Sequence, residues 1–492
     1  MSLFLLTETS QILQVAVLEE NRLSEFFVER KDRRSLVGNI YKGKVRDVLP
    51  GMDAAFVDIG WERTAYLFVS DVSISPFMSE EMEWEEEKGK PSIEKLLHEG
   101  EERMVQVVRD PIGTKGPRLT SFITLPGRYL VLMPYSNHIG VSRRISSFEE
   151  RKRLRQIAKE IKPPDVGVIV RTLAEGKNRE ELFADLKNLL RTWKGIKNRF
   201  SRSPSPSLIY EEWNLAEKTV RDFFLPERDK IITDSLTLYR KLKKIFPLIF
   251  PYHHPSMELY RGREDLFIRF GIDKELEKAL KPVVPLPSGG YITIHETEAL
   301  VSIDVNTGKY TGEESLEETA FRTNMEAVEE IVHQIRLRNL AGIIVVDFID
   351  MRSRSHRKKL ENYLEELLKK DRAHTQISHI TQFGLVQMTR EKTGPSLAQL
   401  LCEDCPTCKG SGRIKSLLTI LGEMEKKIRK ILREKREKKL RILLNIELYR
   451  YIMDKNIFHK YRRWWGHRIY LERGALPWGE YKILNSKGEE IA

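Results

Sequence analysis

The chain has 492 residues, 40% of them hydrophobic and 32% charged, and a formal net charge of +12. That length exceeds one hydrophobic core and implies several domains. No stretch reaches the ~18 apolar residues that a membrane span needs, and three cysteines, all between positions 402 and 408, are too few for a disulfide scaffold. The basic excess favours a polyanionic partner, nucleic acid before anionic membrane. Met1–Thr7 has no basic residue ahead of a short apolar run, so no signal peptide is expected and the cytoplasm is the expected compartment.

Taken in chain order, Leu3–Leu6, Leu13–Val17 and Phe26–Val28 predict a strand meander. From Val37, short apolar pieces cornered by Gly38, Gly43, Gly51 and Gly60 predict a small β-barrel. The acidic run Glu80–Glu87 predicts a solvated loop, and Met104–Val108 resumes the strands. Ile112-Gly113-Thr114-Lys115-Gly116 is not a phosphate-binding loop, because its glycine spacing is wrong. Tyr129–Met133 and Val168–Val170 predict buried strands. Leu154, Ile157, Ala158 and Ile161, then Leu182, Leu186, Leu189 and Trp193, predict two amphipathic helices. Ser201–Pro206 predicts a linker and a domain boundary. Residues 211–280 read as mainly helical, and 289–400 as alternating strands and helices, an α/β core. A basic helix is expected over Glu425–Arg441, followed by strands at Ile442–Ile446 and Arg468–Leu471.

Two carboxylates carry the chemistry. Asp304 and Asp347 each interrupt a Val- and Ile-rich run that reads as a buried strand. Burying an unpaired charge is expensive, so each needs a partner. Either residue alone is more readily a turn cap beyond its strand. Together, beside Asn306 and Asp350, they make a hard-oxygen site suited to Mg²⁺, which keeps waters and substrate oxygens in its shell. In a basic protein that combination points to chemistry on a phosphate backbone. Cys405-Pro406-Thr407-Cys408 has zinc-knuckle spacing. The acidic Glu403 and Asp404 before it disfavour a redox pair, and a second chain would complete four thiolates around one Zn²⁺. Phe56 and Tyr66 could stack bases, with Lys115 near the backbone, although either ring is as readily core. Arg143 and Arg171–Thr172 pair guanidinium with a hydroxyl neighbour, which suits a terminal phosphate or an ordinary surface ion pair.

Several long motifs, in order, carry a resemblance. They are Gly38–Gly43, Leu49-Pro50-Gly51-Met52-Asp53-Ala54-Ala55-Phe56-Val57-Asp58-Ile59-Gly60, Gly113–Gly116, Tyr129–Pro134, Ser302-Ile303-Asp304-Val305-Asn306-Thr307-Gly308, Gln334–Leu340, Asp347-Phe348-Ile349-Asp350-Met351 and Cys405–Cys408. On these the chain resembles the ribonuclease E/G family over most of its length; the last ~75 residues and the acidic loop match poorly. The resemblance implies a multidomain α/β and α+β fold. Residues 1–35 and 216–278 would form a split RNase H-like domain. An OB-fold domain over 36–122 and a 5′-sensor domain over 123–215 would be inserted in it. A DNase I-like catalytic domain would span 279–400, a zinc link 401–415 and a small C-terminal domain 416–492.

The resemblance also implies an endoribonuclease that cuts single-stranded RNA to 5′-phosphate and 3′-hydroxyl ends, is stimulated by a 5′-monophosphate, and acts on rRNA precursors and in RNA decay. Asp304 and Asp347 would hold Mg²⁺, with Asn306 orienting a carboxylate. Cys405 and Cys408 would share Zn²⁺ across a homodimer, with a dimer of dimers left open, as is a part for Cys402. Phe56, Tyr66 and Lys115 would contact RNA. Arg171, Thr172, Arg143, Gly127 and Val131 would form the 5′-phosphate sensor. The alternatives are a non-catalytic RNA-binding or chaperone protein and a DNA-directed nuclease.

Overall fold

A computed structural model describes residues 1–73, 92–111, 115–308, 316–381, 383–434, 439–455, 457–465 and 469–491. The run Glu80–Glu87 and the segment 112–114 lie outside the described residues. The chain divides into two units, Met1–Leu400 and Leu401–Ala492.

In the first unit, strands Ser2–Glu8, Ile12–Glu19 and Arg22–Arg30 form the expected antiparallel meander. Two more strands, Lys230–Thr233 and Ser256–Leu259, extend the same sheet in parallel from Ser2–Glu8. Residues 211–280 are mainly helical as expected, with helices Leu215–Phe223, Leu236–Ile249, Leu266–Arg269 and Ile272–Ala279, but they also supply these two strands, which the sequence did not announce. Ile231-Ile232-Thr233 is too short an apolar run to announce a strand, and only its partner Phe4–Leu6, over 200 residues away, reveals it. Helices Leu215–Phe223 and Leu236–Ile249 place Val220, Leu238, Leu242 and Phe246 against Phe4, Leu6 and Val15.

The barrel forms as expected. Strands Ile40–Leu49, Ala54–Asp58, Ala65–Phe68, Arg118–Thr120 and Glu102–Arg109 pair in that order, and Ile40–Leu49 closes on Glu102–Arg109. Alternation puts Ala55, Val57, Ala65 and Leu67 inside and leaves Phe56, Tyr66 and Phe68 part-exposed on the outside. A four-stranded sheet follows, centred on Leu130–Met133 and Gly167–Val170 and covered by helices Phe148–Ile161 and Arg179–Arg202. The second helix starts on an Asn178–Glu181 capping box and buries Leu182, Leu186, Leu189, Trp193 and Ile196. It continues through Arg202, and Ser207–Tyr210 then joins the outer side of barrel strand Ile40–Leu49. Ser201 and Arg202 are the end of that helix, and residues 203–206 carry the chain from it to the barrel sheet, a shorter connection than the expected linker.

The last sheet of this unit orders Val283–Pro285, Tyr291–Glu296, Val301–Asn306, Gly342–Asp347, Leu385–Arg390 and Thr375–Ile377. Helices Leu316–Leu337 and Arg354–Leu368 supply Ala327, Val328, Ile331, Leu360 and Leu364 to a core with Ile292, Ile303, Val305, Ile344 and Val346. Arg336 anchors this layer to the first sheet through Glu19 at 2.9 and 3.0 Å and Glu25 at 3.1 Å.

Among the described residues of the second unit, strand Leu440–Leu444 lies in the middle of a sheet, with Ile469–Arg473 parallel and Tyr481–Leu484 antiparallel to it. The basic helix runs over Leu417–Glu434, not 425–441; Leu440 and Arg441 belong to a strand, and Ile446 opens the next helix. Leu440, Ile442 and Leu444 alternate into the core, a period of two that the preceding charged run hides.

Candidate active site

Strands Val301–Asn306 and Gly342–Asp347 are parallel neighbours whose register sets Asp304 directly beside Asp347. Neither aspartate is buried. Ile303, Val305, Ile344 and Val346 enter the core, while Asp304 and Asp347 are exposed on the other face. The expectation of buried carboxylates fails because the core helices fill the face that takes these apolar residues, so each Val/Ile run alternates in exposure. Across the sheet, Thr293, Asp304, Asp347 and Leu385 stand in one row.

Asn306 donates from Nδ2 to Asp304 Oδ2 at 2.7 Å, which fixes that carboxylate. The Asp347 carboxyl is pushed up, first by desolvation and then by the negative charges of Asp304 and Asp350. A cation is what such a cluster lacks, and its donors are hard oxygens. Among the described residues no three His, Cys, Asp or Glu side chains form a metal cage. Two carboxylates with open positions fit Mg²⁺, which keeps several waters, better than a closed site.

Two residues of helix Leu316–Leu337 hold the loop after Asp347, and no motif announced them. Asn324, fully buried, donates to Ile349 O at 2.8 Å and accepts from Ile349 N–H at 3.0 Å. Glu317 accepts the N–H groups of Arg352 and Ser353, both at 3.0 Å. The available signal for Asn324 was a polar side chain on the apolar stripe of Ala320, Ala327 and Val328.

On the barrel, Phe56 and Tyr66 are direct cross-strand partners. Tyr66 packs edge-on to Phe68 at 5.4 Å, and the Arg118 guanidinium lies 5.1 Å from the Phe68 ring centre. Lys115 is exposed, next to Gly116, whose backbone runs close to Thr64. Gly116 permits that approach, because a Cβ there would meet Thr64 O at 2.0 Å. Arg118 is itself held by Asp71, donating from Nε and Nη2 to Oδ2 at 2.9 and 2.7 Å.

Arg171 donates from Nη1 to Gly127 O at 2.5 Å and to Asp222 Oδ1 at 2.6 Å. Asp222 is itself held by Arg221, which donates to both its oxygens at 3.0 Å. Thr172 Oγ1 and Ser142 Oγ are 2.9 Å apart. Gly127 must be glycine, since a Cβ would meet Asp185 Oδ2 at 2.6 Å. Arg171 and Thr172 line an open cleft of about 820 Å³ with Arg144, Lys369, Lys370 and Arg372. Arg144, not Arg143, enters that lining, and Val131 stands behind it as the strand partner of Ile169.

In the second unit, Lys409 N–H donates to Cys405 O at 2.7 Å, and Ser411 N–H to Cys408 O at 3.0 Å. N–H groups of Cys408 and Thr407 draw the Cys405 thiol downward, which favours the thiolate a zinc ion takes. Cys402 does not gather with them into a three-ligand group.

A family model described as the Ribonuclease E/G family matches residues 124–393. The chain is 43% identical over 424 residues to ribonuclease G of Haemophilus influenzae, covering 86% of each protein. It is 43% identical over 426 residues to ribonuclease G of Escherichia coli K12, with the same coverage. Ribonuclease E of H. influenzae is 37% identical over 449 residues, which span 90% of this chain and 47% of that protein.

Proposed function

The chain belongs to the ribonuclease E/G family, and from that premise we propose a Mg²⁺-dependent endoribonuclease that cuts single-stranded RNA to 5′-phosphate and 3′-hydroxyl ends in rRNA processing and RNA decay. The observation that carries the reading is the Asp304–Asp347 pair in register on the open face of its sheet. Asp304 and Asp347 would hold the ion, and Asn306, donating to Asp304 Oδ2, would orient that carboxylate. A bound Mg²⁺ supplies charge neutralisation at the scissile phosphate and a more acidic water. Asn324 and Glu317 keep the Phe348–Ser353 loop, and so Asp347 and Asp350, in place.

The outer barrel face supports base stacking by Phe56, Tyr66 and Phe68, with Lys115 on the backbone. Arg171 and Thr172 receive a 5′-monophosphate in the basic cleft, and activity is stimulated when they do. The sheet shared by residues 2–30 and 230–259 supports one RNase H-like domain split by the barrel and sensor insertions. The sheet of residues 283–390 is read as the DNase I-like catalytic domain. Cys405 and Cys408 of two chains share one Zn²⁺ in a homodimer. The cytoplasm is the compartment we propose; separately, among the described residues no helix is long and apolar enough to cross a membrane.

Mapping of cleavage ends on 5′-monophosphorylated RNA, with and without Mg²⁺, tests the reading. Asp304→Asn and Asp347→Asn are expected to lose cleavage and keep RNA affinity. Wild-type turnover by either variant would refute the assignment.

A further inference from the structure

The positive charge of this chain is not spread along it. Residues 401–492 hold 22 of the 84 Lys and Arg but only 12 of the 72 Asp and Glu, an excess of +10 out of the total +12. The first 400 residues are close to neutral by difference. Helix Leu417–Glu434 shows how the structure uses that excess. Ile420, Leu421, Met424, Ile428 and Ile431 face the core, and Lys426, Lys427, Arg429, Lys430 and Arg433 are exposed. Lys426, Lys430 and Arg433 follow i, i+4, i+7 spacing, so they form a row about 10 Å long on one face.

Among the described residues the ion pairs of this unit use Lys415, Arg429, Arg441, Arg450 and Lys482, none from that row. Lys427, on the same helix, lies 5.3 Å from the ring centre of Tyr481. The loop before Tyr481 is tight against the helix, since a Cβ on Gly479 would meet Ile420 Cδ1 at 2.6 Å, and it carries the exposed Trp478. A cation row on a helix that also carries a lysine against an aromatic ring supplies the two elements, cations and exposed rings, by which proteins track a single-stranded nucleic acid backbone and stack its bases.

We propose that this face of helix Leu417–Glu434, with Tyr481 and Trp478, is a second RNA-binding surface, separate from the barrel and the aspartate pair. The choice of RNA among polyanions rests on the endoribonuclease reading above; the charge and its placement do not.

The test uses the full-length protein and a labelled single-stranded RNA in buffer without added Mg²⁺ or chelator, so that any zinc stays bound, with affinity measured between 50 and 200 mM salt. The variant carries Lys426→Gln, Lys430→Gln and Arg433→Gln together. Each lost phosphate contact lowers the log–log salt slope by ~0.7, so three lower it by about 2. Over that fourfold rise in salt the wild type should lose roughly 16-fold more affinity than the variant. A charge-preserving variant, Lys426→Arg, Lys430→Arg and Arg433→Lys, should keep the wild-type slope. An unchanged slope in the Gln variant overturns the proposal, as does equal loss in the charge-preserving one. If sedimentation shows that the Gln variant loses a wild-type oligomer while the slope stays, the face is a protein interface and the proposal fails. Cleavage of the same RNA by wild type in Mg²⁺ reports separately on the endoribonuclease reading. Absent cleavage beside the expected slope change counts against that reading and for the surface.

Discussion

Replacing Asn324 by alanine probes how the catalytic loop is held. The Asn324 amide is 0% exposed and makes both hydrogen bonds to the Ile349 backbone, two residues past Asp347 and one before Asp350. Alanine removes both bonds, each contributing ~0.5–1.5 kcal/mol net, and leaves backbone groups that cost ~1–3 kcal/mol apiece if they stay unpaired. The expected loss is therefore ~2–5 kcal/mol, shared between global stability and local order of the 348–353 loop. A shift of ~1 Å in a catalytic carboxylate can cost ~10²-fold in rate. Single-turnover cleavage at saturating enzyme should fall by about that factor, while RNA affinity in EDTA holds. Asn324→Asp keeps an acceptor for Ile349 N–H but loses the donor to Ile349 O, and should fall between. A folded Asn324→Ala protein that cleaves at the wild-type rate would show that the amide does not position Asp347.

Other outcomes follow from the remaining clusters. Arg171→Ala should shrink the rate advantage of 5′-monophosphate over 5′-hydroxyl RNA by roughly tenfold, the worth of one charge-assisted contact; an unchanged ratio argues against the sensor role. Cys405→Ser should release monomers in sedimentation, and the wild type should hold one zinc per two chains; one zinc per chain sinks the shared site. His333 sits near Arg22, Arg336, Glu330 and Glu275, and burial first, then the two arginines, lower its pKa to about 4. It stays neutral when folded but takes a proton near pH 6.5 when unfolded, so it contributes stability above pH 6.5 that is lost as pH falls towards 4. The full effect is ~3 kcal/mol. His333→Gln should flatten that part of the pH–stability curve, and identical curves for the two proteins would refute it.

Much of the local architecture was legible because its cause is local. The helix faces of Leu154–Ile161 and Leu182–Trp193 follow from 3.6-residue spacing, and the barrel from short strands cornered by glycine. Lys230–Thr233 was not legible, because four residues carry no period and their partner strand is remote in sequence. The Leu440–Leu444 strand was expected two residues late, at 442–446, because the charged neighbours before it read as a helix continuing through Arg441.

Chemical identity at the site was written in the chain: two aspartates, an asparagine, a pair of cysteines and the basic excess are residue types, and their chemistry needs no fold. Position was decided only by tertiary structure. The strand register sets Asp304 beside Asp347, and the one-sided helix cover leaves both facing solvent where the sequence suggested burial. Folding alone brings Asn324 to Ile349, and Asp222 to Arg171, across gaps of 25 and 51 residues. The reason is physical. Periodicity reports which face of an element is apolar, whereas what lies on that face depends on elements packed from elsewhere in the chain.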